Sequence, residues 1–276
     1  LGYPTAAPRE SNGEVIQLFQ GGAVYSSSAG GTIASTGSIG QRWLELSGPS
    51  SVLGAPIGEI VCGTRDGGCF QDFRNGAISW TSTTGAWETY GPIRALWRAS
   101  RFETGSLGYP MSAPIAVGQG TYQTFQGGTV SWTEATGALV STGSIEKRWV
   151  ATDGMSGPLG AAVGPITCGT LNGGCFQNFE NGAVSSSPSS GTWETYGAIR
   201  SRWKSLAFET GPLGYPTGPP TCGMKADGCY QNYQSGAISW TPTTGAWETY
   251  GEIRSYWRSQ GYEFGQMGYP IGPVSR

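Results

Sequence analysis

The sequence predicts a mainly β protein with short helices, built from five tandem repeats that close into a five-bladed, propeller-like ring. The phrase Leu-Gly-Tyr-Pro and its variants recur at intervals of 52, 54, 52, 54 and 54 residues. Within each interval an alternating segment, a turn and a short amphipathic segment follow in the same order. Glycine and aromatic residues are abundant while charged residues make up 12% of the chain, which suits short strands and tight turns.

The repeat boundaries follow from the spacing of this phrase. The repeats are residues 1–52, 53–106, 107–158, 159–212 and 213–266, followed by a closing segment, 267–276. Units this short cannot bury an apolar face alone and must stack on their neighbours. An open solenoid and a closed ring both achieve this, and the return of the first phrase at the end of the chain favours the ring. We expect residues 1–276 to form a single domain.

The second repeat illustrates the predicted elements. The segment "CFQDFRNGAISW" alternates around Asn75-Gly76 and predicts a β-hairpin. A third short strand, "AWETY", follows it. The segment "GPIRALW" has a proline near its start and places Ile93 and Trp97 on one face, which predicts a helix. A propeller blade usually has a fourth strand, which this pattern does not reveal.

The six cysteines form three pairs, each with six residues between its members. The pairs are Cys62 and Cys69, Cys168 and Cys175, Cys222 and Cys229. A zinc site usually shows two-residue spacing and often histidine, and the chain has no histidine. We therefore expect three local disulfides, an oxidising, extracytoplasmic location, and neither a metal nor another cofactor.

Composition argues against several classes of function. A net charge of −2 without a basic run excludes a nucleic-acid partner, and no apolar stretch is long enough for membrane insertion. The chain lacks a leading Met and a secretory apolar region, so we expect a mature or excised fragment. Without histidine, Ser-His and Cys-His nucleophiles are absent. Two carboxylates suffice for a glycosidase, but acids that recur in several repeats favour binding, so we expect no enzyme.

The phrases "LGYP", "QDFRNGAISW" and "IRALW" resemble the LGFP repeat family over nearly the whole chain. The resemblance implies tandem repeats arranged as a five-bladed, propeller-like ring in secreted and cell-envelope proteins of actinobacteria. It also implies a module that is often attached to an enzyme and holds it to envelope polysaccharide such as arabinogalactan. The cysteine loop and the Trp-Glu-Thr-Tyr strand depart from the usual unit of the family.

Some positions are the same in all repeats, as a repeated scaffold predicts. We expect the helix tryptophans to pack in the core, and the glycines to supply positive φ in the hairpin turn. The glutamines have two interpretations, since a strand amide can bond backbone or a sugar hydroxyl. These residues are Trp43, Trp97, Trp149, Trp203 and Trp257; Gly22, Gly76, Gly128, Gly182 and Gly236; Gln17, Gln71, Gln123, Gln177 and Gln231.

Other positions separate the 52-residue repeats, first and third, from the 54-residue repeats, second, fourth and fifth. Only the longer repeats carry the cysteine loop, the Trp-Glu-Thr-Tyr strand and an aromatic-acidic pair before the closing turn. The pairs are Phe102-Glu103, Phe208-Glu209 and Tyr262-Glu263. Such coupled differences indicate a specialised site in three repeats, although recent duplication of one unit explains the same pattern.

Strand alternation places Glu88 and Tyr90 on the face opposite Trp87 and Thr89. A carboxylate beside a phenol can accept hydroxyl hydrogen bonds and offer an aromatic surface to a neutral saccharide. Alternatively, Glu88 pairs with Arg94. Further tryptophans occur on a neighbouring strand. The predicted ligand residues are Glu88, Tyr90, Glu194, Tyr196, Glu248, Tyr250, Trp80, Trp132 and Trp240.

The loop residues Asp66, Asn172 and Asp227 have turn formation as their first interpretation, with contact to a metal or a sugar as the other. The predicted function is a secreted, extracellular or cell-wall-associated lectin. It is expected to be monomeric and to bind polysaccharide at up to three equivalent sites. The alternatives are a ring that binds or inhibits a secreted protein, and an anchoring spacer for an attached enzyme.

Overall fold

The computed structural model describes residues 1–11, 13–28 and 30–275, and these residues are mainly β. The chain divides into two compact units, Leu1–Ala138 and Leu139–Arg276. Over the described ranges there are five antiparallel sheets, one per repeat, whose four strands lie in chain order and which stay open rather than closing on themselves. A short helix follows each sheet. The five-repeat, mainly β prediction is confirmed at this level.

The elements have the following bounds. The first repeat holds β1 (Arg9–Ser11), β2 (Glu14–Phe19), β3 (Gly22–Ser27), β4 (Gly31–Thr36) and α1 (Gly37–Glu45). The second holds β5 (Val61–Thr64), β6 (Gly68–Phe73), β7 (Gly76–Thr81), β8 (Gly85–Tyr90) and α2 (Gly91–Ala99). The third holds β9 (Ile115–Val117), β10 (Gly120–Phe125), β11 (Gly128–Thr133), β12 (Gly137–Ser141) and α3 (Gly143–Val150). The fourth holds β13 (Thr167–Thr170), β14 (Gly174–Phe179), β15 (Gly182–Ser187), β16 (Gly191–Tyr196) and α4 (Gly197–Ser205). The fifth holds β17 (Thr221–Met224), β18 (Gly228–Asn232), β19 (Gly236–Thr241), β20 (Gly245–Tyr250) and α5 (Gly251–Ser259).

Each sheet has four strands, of which the sequence pattern predicted three; the additional strand is the first one of each sheet. In the second repeat it is β5, which pairs Cys62 with Cys69 on β6. The register of the following hairpin pairs Phe73 with Gly76, so its two-residue loop is Arg74-Asn75. The predicted turn at Asn75-Gly76 is therefore wrong by one residue, because Gly76 already belongs to β7.

The hairpin glycine supplies positive φ, as predicted, in the first and third repeats, but it is required for a different reason in the 54-residue repeats. Gly22 and Gly128 have positive φ angles of 145° and 155°, but Gly76 and its two counterparts in the 54-residue repeats do not. A Cβ at Gly76 would lie 2.4 Å from the carbonyl oxygen of Thr89 and 2.7 Å from the side chain of Leu53. Close approach of β8 and the Leu-Gly phrase excludes a side chain here.

The helix tryptophans lie in the core, as predicted. All of them are at most 5% exposed. The Trp97 indole nitrogen donates to the carbonyl of Gly108 at 2.9 Å, in the phrase that begins the next repeat. The same bond joins Trp43 to Gly54 and Trp203 to Gly214. Each such helix is thus tied to the following repeat by a satisfied, buried donor.

Within each unit a helix packs on the sheet of the next repeat. In the first unit α1 lies on β7 and β8, and in the second unit α4 lies on β19 and β20. The invariant glutamine supports this stacking: Gln71 donates through Nε2 to the carbonyls of Ala34 and Gly58, each at 3.0 Å. Gln123, Gln177 and Gln231 make equivalent pairs of bonds. The structural interpretation of these glutamines is confirmed.

All six cysteines form the predicted disulfides, Cys62–Cys69, Cys168–Cys175 and Cys222–Cys229. Each joins directly opposite residues on the first two strands of its sheet, with Cα atoms 4.0 to 4.1 Å apart. The loops between them contain Asp66, Asn172 and Asp227 with φ near +55°. Turn formation, their first interpretation, is confirmed. As for membrane association, the described residues include no helix that is long and apolar enough to cross a bilayer.

Candidate functional site

The strand glutamates of the 54-residue repeats lie at the junctions between repeats. Glu88 is 3% exposed and accepts two hydrogen bonds from Arg42, from Nε at 2.8 Å and from Nη2 at 3.0 Å. The Arg42 guanidinium also lies 5.0 Å from the ring centre of Trp87. The alternative that Glu88 pairs with Arg94 is therefore wrong, because its partner belongs to the helix of the preceding repeat.

The same junction recurs twice in the second unit. Arg148 pairs with Glu194, and Arg202 pairs with Glu248 through Nε at 2.6 Å. Burial raises the pKa of the Glu248 carboxyl, but hydrogen bonds from Arg202 and from the Val274 amide outweigh it and leave the pKa below its ordinary value. All three carboxylates are thus buried, and each is paired with an arginine.

The arginine and its glutamate are separated by 46 residues in the sequence in all three cases, which are Arg42 and Glu88, Arg148 and Glu194, Arg202 and Glu248. The third repeat has Val140 at the glutamate position, and the helix before it has Leu96 at the arginine position. This matched pattern was a signal in the sequence that strand alternation alone did not reveal.

The predicted aromatic ligand residues are half-buried. Trp80 and Tyr90 pack against a core cluster shared by the first and second repeats, and Trp240 and Tyr250 against one shared by the fourth and fifth. Trp132 is also half-buried, on β11. Trp87 is half-buried at the sheet edge, where its indole donates to the Thr84 carbonyl at 2.6 Å.

Two of the predicted ligand residues meet in one pocket. Tyr196 and Trp240 line a small pocket of about 220 Å³ together with the Cys222–Cys229 disulfide. Glu194, next but one to Tyr196, does not line it. The structure thus brings together a phenol and an indole, while the neighbouring carboxylate is engaged with Arg148.

A larger cleft lies on the fourth repeat, between its hairpin, α4 and the turn before Leu213. Its volume is about 730 Å³. Its lining includes the aromatic side chains of Phe176 and Phe208 and the polar groups of Asn178, Arg200 and Glu209. The Arg200 guanidinium donates to Asn178 Oδ1 at 2.9 Å and to Thr195 Oγ1 at 3.1 Å, and it lies 5.3 Å from the Phe208 ring centre.

The equivalent cleft on the fifth repeat has a volume of about 260 Å³ and the same kinds of lining residue. These are Tyr230, Tyr262, Asn232, Arg254 and Glu263. In the second repeat the corresponding guanidinium, Arg94, donates to Asp72 at 2.8 Å and lies 5.3 Å from the Phe102 ring centre. Sequence reasoning noticed the aromatic-acidic pairs but not the arginine and the amide beside them.

A tyrosine from the following repeat fastens the cysteine loop at the edge of each cleft. Tyr215 Oη lies 2.8 Å from Thr170 Oγ1 and donates to the Leu171 carbonyl at 2.8 Å. Tyr109 makes both corresponding bonds, to Thr64 and to the Arg65 carbonyl. Tyr269 donates to the Lys225 carbonyl, and Met224 stands at the threonine position of its loop. Where the preceding repeat has no cysteine loop, the Leu-Gly-Tyr-Pro phrase has alanine in place of this tyrosine, at Ala55 and Ala161. This tyrosine therefore belongs to the coupled differences and was missed.

Comparison with known proteins gives one strong match. A family model described as LGFP repeat matches residues 1–51, 53–105, 107–157, 159–211 and 213–265. These bounds agree with the repeat boundaries expected from the Leu-Gly-Tyr-Pro spacing. No curated protein sequence matches the chain.

The similar solved structures are remote. They include AztD from Citrobacter koseri in its apo form, at 10% identity and a TM-score of 0.15, with 85% of this chain and 55% of that chain covered. Another is the extracellular domain of the putative one-component system BT4673 from B. thetaiotaomicron, at 9% identity and a TM-score of 0.16, with 84% and 26% covered. This chain spans about half of AztD and a quarter of the other protein. At these TM-scores the likeness supports no inference about fold or function.

Proposed function

This chain belongs to the LGFP repeat family, and from that premise we propose that it is a non-catalytic carbohydrate-binding protein. The family is associated with the cell envelope, and three disulfides within the described residues are consistent with an extracellular or cell-envelope location. The proposed partner is a polysaccharide of the cell wall or another extracellular glycan.

The observation that carries the proposal is the recurrence of one set of groups in two clefts. Each cleft combines aromatic rings with an arginine, an amide and a carboxylate. Saccharides need both kinds of surface, since their C–H faces pack on rings while their hydroxyls require donors and acceptors. A reaction needs an acid and a nucleophile at unlike positions, so repetition of one set favours binding over catalysis.

The residues have distinct roles in this proposal. In the fourth repeat, Phe176 and Phe208 offer rings to the sugar, Arg200 and Asn178 donate hydrogen bonds, and Glu209 accepts them. Tyr196 and Trp240 supply a smaller, secondary subsite. Glu88, Glu194 and Glu248, first predicted as ligands, act indirectly by fixing the repeats against one another. Several weak sites on one polymer would raise retention by about 100-fold or more when geometry permits simultaneous contact.

Retention on insoluble cell-wall polysaccharide tests the proposal. We expect the wild type to be retained and to be displaced by soluble glycan fragments. A variant with Arg200→Gln and Arg254→Gln should lose retention while keeping its thermal unfolding midpoint within a few degrees. A matched control, Arg98→Gln, alters an exposed arginine of α2 and should be retained like the wild type. Retention that soluble glycan cannot displace would instead indicate a protein partner.

Closure of the repeats into a ring, and a monomeric state, stay predictions of the sequence. Small-angle scattering measures the first directly, because a closed ring of this length is more compact than an open stack. Size-exclusion chromatography with light scattering measures the second. A maximum dimension that matches an extended array would contradict the ring.

A further inference from the structure

The three 54-residue repeats differ in the residue that faces the cleft arginine. In the second repeat this residue is Asp72, whose carboxylate lies 2.8 Å from Arg94. In the fourth and fifth repeats it is an amide, Asn178 beside Arg200 at 2.9 Å and Asn232 beside Arg254 at 3.0 Å. The guanidinium of the second repeat is therefore paired with a carboxylate, whereas those of the fourth and fifth repeats face a neutral amide and have no counterion at this position.

Two other charges near the cleft recur in all three repeats. Glu180 also lines the cleft of the fourth repeat, where its carboxylate accepts a hydrogen bond from the Ala161 amide. An acid follows the aromatic residue of the turn in every case, as Glu103, Glu209 and Glu263. It acts on the phenol that fastens the cysteine loop, since it helps to raise the pKa of Tyr109, Tyr215 and Tyr269 beyond the effect of burial. A base follows the helix tryptophan in every case, as Arg98, Lys204 and Arg258. At the position that faces the cleft arginine, the fourth and fifth repeats thus carry one negative charge fewer than the second.

The arginines of the fourth and fifth repeats are charged groups with spare donors. Burial lowers the pKa of Arg200 and Arg254 from its ordinary value, yet a guanidinium stays protonated at neutral pH. Over the described part of the chain neither forms an ion pair, and each spends two hydrogen bonds on neutral oxygens. A partly desolvated cation of this kind binds an anion more strongly than a neutral acceptor.

We propose that the clefts of the fourth and fifth repeats bind an acidic saccharide, whose anionic substituent pairs with Arg200 or Arg254, and that the second repeat does not. This inference rests on the proposed carbohydrate function and names its substrate class. In the second repeat Asp72 supplies the negative charge that the ligand's anion supplies in the other two. The C–H faces of the same glycan pack on Phe176 and Phe208 in the fourth repeat.

Isothermal titration with matched probes tests this proposal. The probes are tetragalacturonate, its fully methyl-esterified form, mannose 6-phosphate and mannose. We expect tetragalacturonate to bind at two sites per chain, at least about tenfold more tightly than its ester. Raising the salt to about 0.5 M NaCl should weaken that binding, because a partly exposed ion pair is screened.

Variants that exchange aspartate and asparagine at the position facing the cleft arginine provide the matched comparison. Asn178→Asp with Asn232→Asp should reduce tetragalacturonate affinity about tenfold, to that of the ester. Asp72→Asn should do the opposite and add a third site. Both changes place at one repeat the residue that another repeat already carries, so unfolding midpoints near that of the wild type are expected. Loss of binding without the reciprocal gain at Asp72→Asn would overturn the assignment to this position.

The probes distinguish failure of this inference from failure of the carbohydrate function. Equal affinity for tetragalacturonate and its ester overturns the acidic preference while supporting saccharide binding. Binding of mannose 6-phosphate but not mannose, with tetragalacturonate inactive, supports an anionic saccharide and assigns its charge to phosphate. Absence of binding by every probe, together with absence of retention on cell wall, overturns both proposals.

Discussion

The ion pair between Arg42 and Glu88 should contribute measurably to the stability of the first unit. The variant Glu88→Val removes a carboxylate that is 3% exposed and leaves the guanidinium without its main partner. Breaking a buried pair costs about 3 to 5 kcal/mol, and since the Arg42 side chain is 20% exposed we expect about 2 to 3 kcal/mol. Urea unfolding, followed by tryptophan fluorescence, measures the loss.

A double variant separates the pair from the packing around it. Arg42→Leu combined with Glu88→Val reproduces the Leu96 and Val140 that the chain uses at the corresponding positions. We expect this double variant to recover most of the loss, because no unpaired charge remains. Glu45→Gln, which removes the exposed partner of the same guanidinium, should cost at most about 0.5 kcal/mol. A single Glu88→Val variant as stable as the wild type, or a double variant no better than the single, would refute the reasoning.

Three further predictions concern the cysteine loops and acid stability. Replacing Cys62 and Cys69 by Ser should cost about 2.5 kcal/mol from the eight-residue loop that they close. The unfolding midpoint should be lower, and reductant should shift it less than it shifts that of the wild type, because two disulfides remain. The variant Tyr109→Phe removes the hydrogen bonds to Thr64 and to the Arg65 carbonyl. We expect a loss of about 1 to 2 kcal/mol in the free energy of unfolding, and faster amide hydrogen exchange confined to the cysteine loop of the second repeat. Unchanged exchange in that loop would contradict this prediction. Because the folded pKa of Glu248 lies below its ordinary 4.5, its contribution to stability is present above that pH and is lost as the pH falls through the folded pKa. The variant Glu248→Gln should lessen the dependence of urea stability on pH in that window, and an identical dependence would argue against the assignment.

Local patterns in the sequence predicted what neighbouring residues decide. The helices followed from Ile93 and Trp97 at a spacing of four, and the disulfides from Cys62 and Cys69 at matched spacing. The first strand was missed because Val61–Thr64 is short and contains a glycine, so no alternation can be seen. The hairpin glycine was predicted, but for its backbone angle rather than for the contact with Thr89.

The candidate site was harder to predict because its contacts are not local. Strand alternation correctly separated Glu88 from Trp87, yet the partner of Glu88 lies on a helix 46 residues earlier. The cleft around Arg200 joins a strand to a helix whose arginine lies 22 residues later, and to the turn that follows this helix. Such pairs can be found in the sequence only by comparing the repeats and searching for residues that change together at a constant separation. Periodicity within one repeat does not reveal them.

The junction pairs have a consequence for how such arrays can be rearranged during evolution. A duplicated unit brings its strand glutamate but not the arginine that neutralises it, since that arginine belongs to the unit before. Inserting a copy of the fourth repeat directly after the second would set Glu194 behind a helix that carries Leu96, and so bury a carboxylate without a counterion. Insertions are therefore tolerated only where the helix that carries the arginine stays next to the strand that carries its glutamate. The unit of recombination is then the helix of one repeat together with the sheet of the next, rather than the repeat itself.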